Sequence, residues 1–354
     1  MSKAEKTANF DPNGVGLKNG HFIGLPYEEE ESDLVMLSVP WDVTVSFGAG
    51  TAGGPENVLA CSSQLDLFDV DLDRPWAMGI YLRRPEAHWQ QRNAQLRTKA
   101  LAYIDWLEAG SPKGQREQME ANRQQVNQGC TELHEWIYRE AKGLLEQGKI
   151  VGLLGGEHST PLGLIRALSE RYPAFGILQI DAHQDLRIAY EGFPYSHASI
   201  FHNALQFPQV TRLVQVGIRD NCEAEAQYAA QNNKRIKVFY DRKLKAAQFH
   251  KQSWISITRS IVAMLPRKVY ISFDIDGLNP SLCPNTGTPV PGGLQYNEAI
   301  ALIKAVVDSG REIIGFDLCE VAGEGEWDGN VAARLLYQLC GWTGCSQGKV
   351  SRNG

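Results

Sequence analysis

Phe175-Gly176-Ile177-Leu178-Gln179-Ile180-Asp181-Ala182-His183-Gln184-Asp185 sets a short apolar run directly against three potential metal ligands. The first six residues have the length and character of a buried parallel strand. If the backbone stays extended beyond Ile180, alternate side chains share a face, so Asp181, His183 and Asp185 point one way and Ala182 and Gln184 the other. Two further stretches repeat the arrangement. Lys268-Val269-Tyr270-Ile271-Ser272-Phe273 is strand-like and delivers Asp274 and Asp276 to one face, while Lys149-Ile150-Val151-Gly152-Leu153-Leu154 leads into Gly155-Gly156-Glu157-His158. The paired glycines there permit a tight turn that presents His158.

Each patch alone has an ordinary reading. Gly-Gly-x-His is commonly a turn before a helix, and Asp-x-Asp after a strand occurs in nucleotide and magnesium enzymes. The conjunction decides. Carboxylates and imidazoles collected at strand ends are costly unless their charge is compensated. Mixed nitrogen and oxygen donors suit manganese, iron, nickel or zinc better than calcium or magnesium. The six groups His158, Asp181, His183, Asp185, Asp274 and Asp276 are too many for one four-coordinate zinc and about right for two metal ions.

The rest of the chain alternates strand with helix. Leu34–Val39 reads as a first strand, followed by Pro40 and the glycine-rich Phe47–Gly54, with Pro55 where a helix can begin. A glycine-rich loop can cradle phosphate, but no Gly-Lys-Ser or Gly-x-Gly-x-x-Gly is present, and a loop approaching an active site is the better reading. Later helices are expected near Pro161–Arg171, Trp254–Leu265, Tyr296–Asp308 and Asn330–Leu339, with strands near Arg212–Val216 and Arg235–Phe239. Residues 84–148 lack a clear strand and read as two helices, Arg92–Glu108 and Glu117–Gln147, that cover the sheet or meet another subunit. The alternation predicts one α/β domain with a doubly wound parallel sheet over 33–342. Residues 1–32, ending in Glu28-Glu29-Glu30-Glu31, are expected as a loosely held arm, and 343–354 as a tail.

Composition narrows the setting. The 354 residues carry a formal charge of -6 with no basic block, which disfavours nucleic acid and anionic membranes as partners. No apolar run approaches a membrane span and Met1–Asn9 lacks a signal-peptide core, so the expected compartment is the cytoplasm. Seven cysteines without a Cys-x-x-Cys pair argue for reduced thiols. Cys283, near the Asp276 patch, reads as a packed thiol.

From about Asp33 to Tyr337 the chain resembles the ureohydrolase superfamily, which includes arginase, agmatinase and guanidine hydrolase. The resemblance rests on the three patches and on Asp276-Gly277-Leu278-Asn279-Pro280, Thr286-Gly287-Thr288-Pro289, Pro291-Gly292-Gly293-Leu294 and Phe316-Asp317-Leu318-Cys319-Glu320. It departs at Glu157 and Asn279, where the family usually or often has Asp. The resemblance implies a three-layer α/β/α sandwich with a mainly parallel sheet, and a homo-oligomer, trimer or hexamer, with a related subunit as a further option. It implies two divalent ions, Ni2+ or Mn2+: one on His158, Asp181, Asp185 and Asp274, the other on Asp181, His183, Asp274 and Asp276. Asp276 counts among the expected catalytic residues. Glu320 resembles the family's guanidinium-binding carboxylate, and His197 occupies the place of its proton-shuttling histidine. The implied activity is hydrolysis of a C–N bond in a small guanidino substrate. Leu186–Tyr195 is bulkier than the corresponding stretch of arginases, which disfavours arginine. Thr51, Tyr195 and Trp327 are further substrate candidates, and the surrounding segments look most like the branch acting on guanidine, alkylguanidines or biguanides. Agmatine or a guanidino acid is the alternative substrate, and a noncatalytic subunit of a heteromeric hydrolase the alternative of another class.

Overall fold

The computed structural model describes residues 1–353. Its strands, in chain order, are β1 (Leu34–Val39), β2 (Leu72–Asp73), β3 (Ile80–Leu82), β4 (Ile150–Gly155), β5 (Phe175–Ile180), β6 (Val210–Ile218), β7 (Ile236–Tyr240), β8 (Lys268–Asp274), β9 (Glu312–Cys319) and β10 (Ser351–Arg352). Eight of them form one sheet in the order β3-β1-β4-β9-β8-β5-β6-β7, and every pairing in it is parallel. β1, β4 and β5 are buried along their whole length, as helical layers on both faces require.

The helices are α1 (Lys3–Asn9), α2 (Gly54–Ser62), α3 (Ala87–Glu108), α4 (Arg116–Glu146), α5 (Leu162–Arg171), α6 (Ile200–Ala204), α7 (Glu223–Gln231), α8 (Asp241–Phe249), α9 (Trp254–Val262), α10 (Tyr296–Asp308) and α11 (Glu326–Ser346). Two hydrophobic cores lie on opposite faces of the sheet. One packs α2, α9, α10 and α11 through residues such as Val58, Ile261, Leu302 and Leu335; the other packs α3, α4 and α5 through Leu96, Leu133 and Ile165. The fold is therefore the expected three-layer α/β/α sandwich.

The topology gathers the patches. After β4 the chain crosses to β5 and leaves two places between them, which β9 and β8 fill later. The carboxyl ends of β4, β9, β8 and β5 thus lie side by side, and they carry His158, Glu320, Asp274 and Asp181. Ligands of open α/β sheets bind at such ends.

Two expectations need revision. Residues 1–32 are not held loosely: Phe22, Leu25 and Tyr27 are fully buried, and the Tyr27 hydroxyl hydrogen-bonds Thr7 Oγ1 at 2.8 Å. The acidic run masked these apolar anchors; two of its members, Glu29 and Glu31, pair with Arg83 and Lys6. The last helix runs well beyond Leu339 to Ser346, and β10 pairs antiparallel with β2, so part of 343–354 is ordered against the domain. After Gly155-Gly156 the chain turns as expected, through residues 157–160, without a positive φ at either glycine. A Cβ on Gly156 would lie 2.1 Å from the Trp41 carbonyl oxygen, so this glycine serves close backbone approach.

Candidate metal centre

Asp181 holds the centre of the site. Its Oδ2 lies 3.1 Å from His158 Nδ1 and its Oδ1 3.6 Å from His183 Nδ1, so one carboxylate faces both imidazoles. Around it two groups form: His158, Asp181 and Asp185, and Asp181, His183 and Asp276, each with ligand atoms within 4.8 Å of one another. Asp185 Oδ2 is 3.2 Å and Asp274 Oδ2 3.4 Å from His158 Nδ1, while Asp276 Oδ2 is 3.1 Å from His183 Nδ1. All six expected ligands are brought together. The backbone route differs from the one expected, because Asp185 has φ +52°. Extension continues to His183, which bridges to Asp220, and then breaks. The left-handed turn at Asp185 costs backbone energy, yet brings its carboxylate to the same imidazole as Asp181.

The electrostatics fit cations. Burial, then the Asp181 charge, pushes Asp185 up to about 7. Burial and the neighbouring Asp276 and Asp181 charges raise Asp274 well above the carboxylate range. Asp181 is also buried, but hydrogen bonds from His158 and His183 hold it below its ordinary value. Burial alone would lower His158, yet its hydrogen bonds with Asp181, Asp185 and Asp317 raise it well above the usual imidazole range. Four aspartates within reach of two imidazoles leave an excess of buried negative charge, and divalent ions with mixed N and O ligation would offset it.

Glu320 and His197 border these groups. Glu320 follows β9 at φ +62°, its N–H donates to the Gly156 carbonyl at 2.7 Å, and its Oε1 accepts the His158 N–H at 2.9 Å. Burial raises its carboxyl strongly. His197 donates its N–H to Thr44 Oγ1 at 3.3 Å, and desolvation, then the His183 charge, pushes its imidazole down to about 3. It lines a cleft of about 320 Å³ with Ser46, His183, Asp185, Arg187, Tyr190 and Thr288 among its walls.

The other substrate candidates stand elsewhere. Tyr195 packs edge-on against His134 at 5.1 Å and lines a separate pocket with Leu162 and Arg166. Thr51 is buried and belongs to a different depression with Gly50, Asn285 and Gly323. Trp327 is half exposed on α11 and donates to the Ser281 carbonyl at 2.9 Å.

Supporting residues to which the sequence patterns gave no role complete the site. Asp317, on β9, accepts from Ser272 Oγ at 2.7 Å and lies 3.6 Å from His158 Nε2, behind the imidazole. Gln179 Nε2 donates to Asp181 Oδ2 at 2.8 Å and is backed by Gln215 at 2.6 Å. Glu157, which burial pushes up to about 7, accepts from the Thr44 N–H and hydroxyl, both at 2.8 Å. Polar residues in all-buried strands were the available signal, since such groups require partners.

The profile of the arginase family matches residues 32–341. The chain belongs to the arginase family. It is 34% identical over 331 residues to an N(1)-aminopropylagmatine ureohydrolase of Thermus thermophilus, covering 92% of this chain and 95% of that protein. The agmatinase of Bacillus subtilis strain 168 is 27% identical, with 90% and 94% covered. Among solved structures, the proclavaminate amidino hydrolase of Streptomyces clavuligerus shares the fold with a TM-score of 0.69 at 20% identity, over 94% of this chain and 99% of that one. This arginase-family chain is accordingly a ureohydrolase, a hydrolase of C–N bonds in amidino compounds. No helix among its described residues is long and apolar enough to cross a membrane.

Proposed function

We propose that the chain is a binuclear metal-dependent ureohydrolase of small guanidino compounds of the guanidine, alkylguanidine or biguanide type. The observation that carries this reading is Asp181 facing both ligand groups, with Glu320 attached to His158 beside them. His158, Asp181, Asp185 and Asp274 would hold one ion, and Asp181, His183, Asp274 and Asp276 the other. A pair of divalent ions, Mn2+ or Ni2+, supplies Lewis-acid chemistry that makes water nucleophilic near neutral pH.

The chain's own residues do the rest. The Glu320 carboxyl, which burial alone favours in its protonated form, would be held ionised by the cations and the substrate's own charge, and then pairs with two N–H groups of the planar guanidinium and fixes its orientation. His197, at the wall of the cleft beside His183, relays a proton to the departing nitrogen. Tyr190 and Arg187 restrict the cleft, which favours a compact substrate over arginine with its amino-acid head group. An agmatine-type substrate is the second reading. The names of the relatives support it, as does Asp220, a largely exposed carboxylate at the same cleft that could meet a distal amine.

The test is urea release from guanidine, methylguanidines, biguanides, agmatine, guanidinobutyrate and arginine, on protein stripped with chelator and reloaded with Mn2+ or Ni2+. We expect about two ions per chain and urea from the smallest guanidines; fewer than one ion per chain with no urea from any compound rejects the proposal. Assembly as a homo-oligomer, or with a related subunit, is part of the same proposal and is read by light scattering.

A further inference from the structure

Arg187 places a guanidinium inside a cleft that receives guanidinium substrates. Its Cζ lies 4.6 Å from the centroid of the Tyr190 ring, within cation–π range, and its Nε lies 3.8 Å from Glu225 Oε2. Both Arg187 and Tyr190 line the 320 Å³ cleft together with His183 and His197. Glu225 also brackets the loop, because its carboxylate accepts the Leu186 N–H at 3.0 Å and the Cys222 N–H at 3.1 Å.

Tyr190 is held from outside. It exchanges backbone hydrogen bonds with Phe193 at 3.2 and 2.8 Å across Glu191 and Gly192, whose φ values of +51° and +77° make the two-residue turn of a tight hairpin. The Gly192 carbonyl accepts from Arg123 Nη1 at 3.4 Å and Asn127 Nδ2 at 3.3 Å, both on α4. Tyr103, on α3, packs edge-on against Phe193 at 5.6 Å. A Cβ at Gly192 would lie 2.9 Å from the Tyr103 hydroxyl, so the turn is seated against the helices. The α3 and α4 helices thus brace the hairpin that presents Tyr190, 6.2 Å from and perpendicular to His197.

We propose that Arg187, stacked on the braced Tyr190, is a charge selector that disfavours guanidino compounds carrying a second cation at their non-reacting end. The proposal rests on the reading of the site as a ureohydrolase of small guanidines and names what sets that preference. The Arg187 charge opposes an ammonium at the distal end, against the pull of Asp220 and Glu225 at the same cleft, and leaves a neutral alkyl group unopposed.

The experiment compares butylguanidine with agmatine, which match in length and differ by the terminal amine, in metal-loaded wild type and in Arg187→Met. We expect the agmatine to butylguanidine ratio of kcat/KM to rise about tenfold in Arg187→Met, a change the size of one cation–π or ion contact, with metal content unchanged. High salt should raise the same ratio in the wild type and leave the variant unmoved. For the brace, Asn127→Ala should raise KM for butylguanidine several-fold with little change in kcat, and Asn127→Gln should restore it. An unchanged ratio in Arg187→Met overturns the selector, whichever substrate the wild type prefers. A wild type that prefers agmatine, with a ratio that still rises in the variant, rejects the small-guanidine reading and leaves the selector standing.

Discussion

The floor of the cleft and its rim are built by different rules. The floor lies at and just beyond the ends of β4, β5, β8 and β9, where ladder hydrogen bonds fix the strands that lead into it and burial is nearly complete. The rim is the loop from Arg187 to Tyr195, whose course depends on a two-residue turn and on helices far away in sequence. On the proposed reading, the floor carries the chemistry common to the family and the rim the choice of substrate. A substitution in the floor should remove activity towards every guanidino compound, whereas one in the rim should reorder them.

The sharpest way to break this division is Asp181→Asn. It removes the carboxylate that both ligand groups share, so turnover should fall about a thousandfold or more with every substrate and bound metal should fall with it. Activity assays paired with metal analysis check this; retained metal would place the shared ligand elsewhere. Glu320→Gln should lower kcat/KM about a hundredfold or more while metal content holds, because a neutral amide still accepts the His158 N–H but loses the charge facing the guanidinium. Loss of metal in that variant would make Glu320 part of the ligand set.

His197→Ala tests the border between the regions. It should keep the metals and lower kcat about a hundredfold, the share of a positioned proton carrier. With the imidazole pushed down to about 3, the proton-accepting form persists through mildly acidic pH. The acid limb of the wild-type profile should therefore not follow an ordinary histidine near 6.5, and a limb there that vanishes in the variant would contradict the assignment.

The smallest effect concerns the back of the rim. His134 on α4 is buried against Tyr195, and desolvation pushes it down to about 4. Its unfolded form takes a proton below about pH 6.5 while the folded form does not until near 4, so stability contributed by the neutral ring falls with pH through that window. Between pH 7 and pH 5 the loss should be about 2 kcal/mol. Thermal melts of the wild type and His134→Phe at the two pH values check it: the variant's melting temperature should fall less. An equal fall in both would remove His134 from the account.

The same division explains what was readable in the chain. Asp181, His183, Asp274, Asp276 and His158 announced themselves because each follows an apolar run, and a short run of buried β residues ends at the carboxyl end of the sheet where such groups collect; Glu320 entered through the family resemblance. Glu320 also shows the limit: that β9 sits between β4 and β8, which brings Glu320 to His158, follows from the order in which strands fill the sheet. Tyr195 and Trp327 looked equally plausible as aromatic walls, yet the hairpin turned Tyr190 towards the cleft and Tyr195 towards His134. Side-chain direction in an irregular loop has no period to read.

By itself the sequence determined the strand-and-helix alternation, the six candidate ligands and the pair of helices in 84–148, because these rest on local periodicity and on the types of residue that end each run. Only the tertiary structure decided that Asp181 faces both imidazoles, that Asp185 reaches the site through a left-handed turn, and that α4 braces Gly192. The contacts of His158 with Asp181 and of Asn127 with Gly192 join residues tens of positions apart, and their geometry follows from packing two helical layers on one twisted sheet.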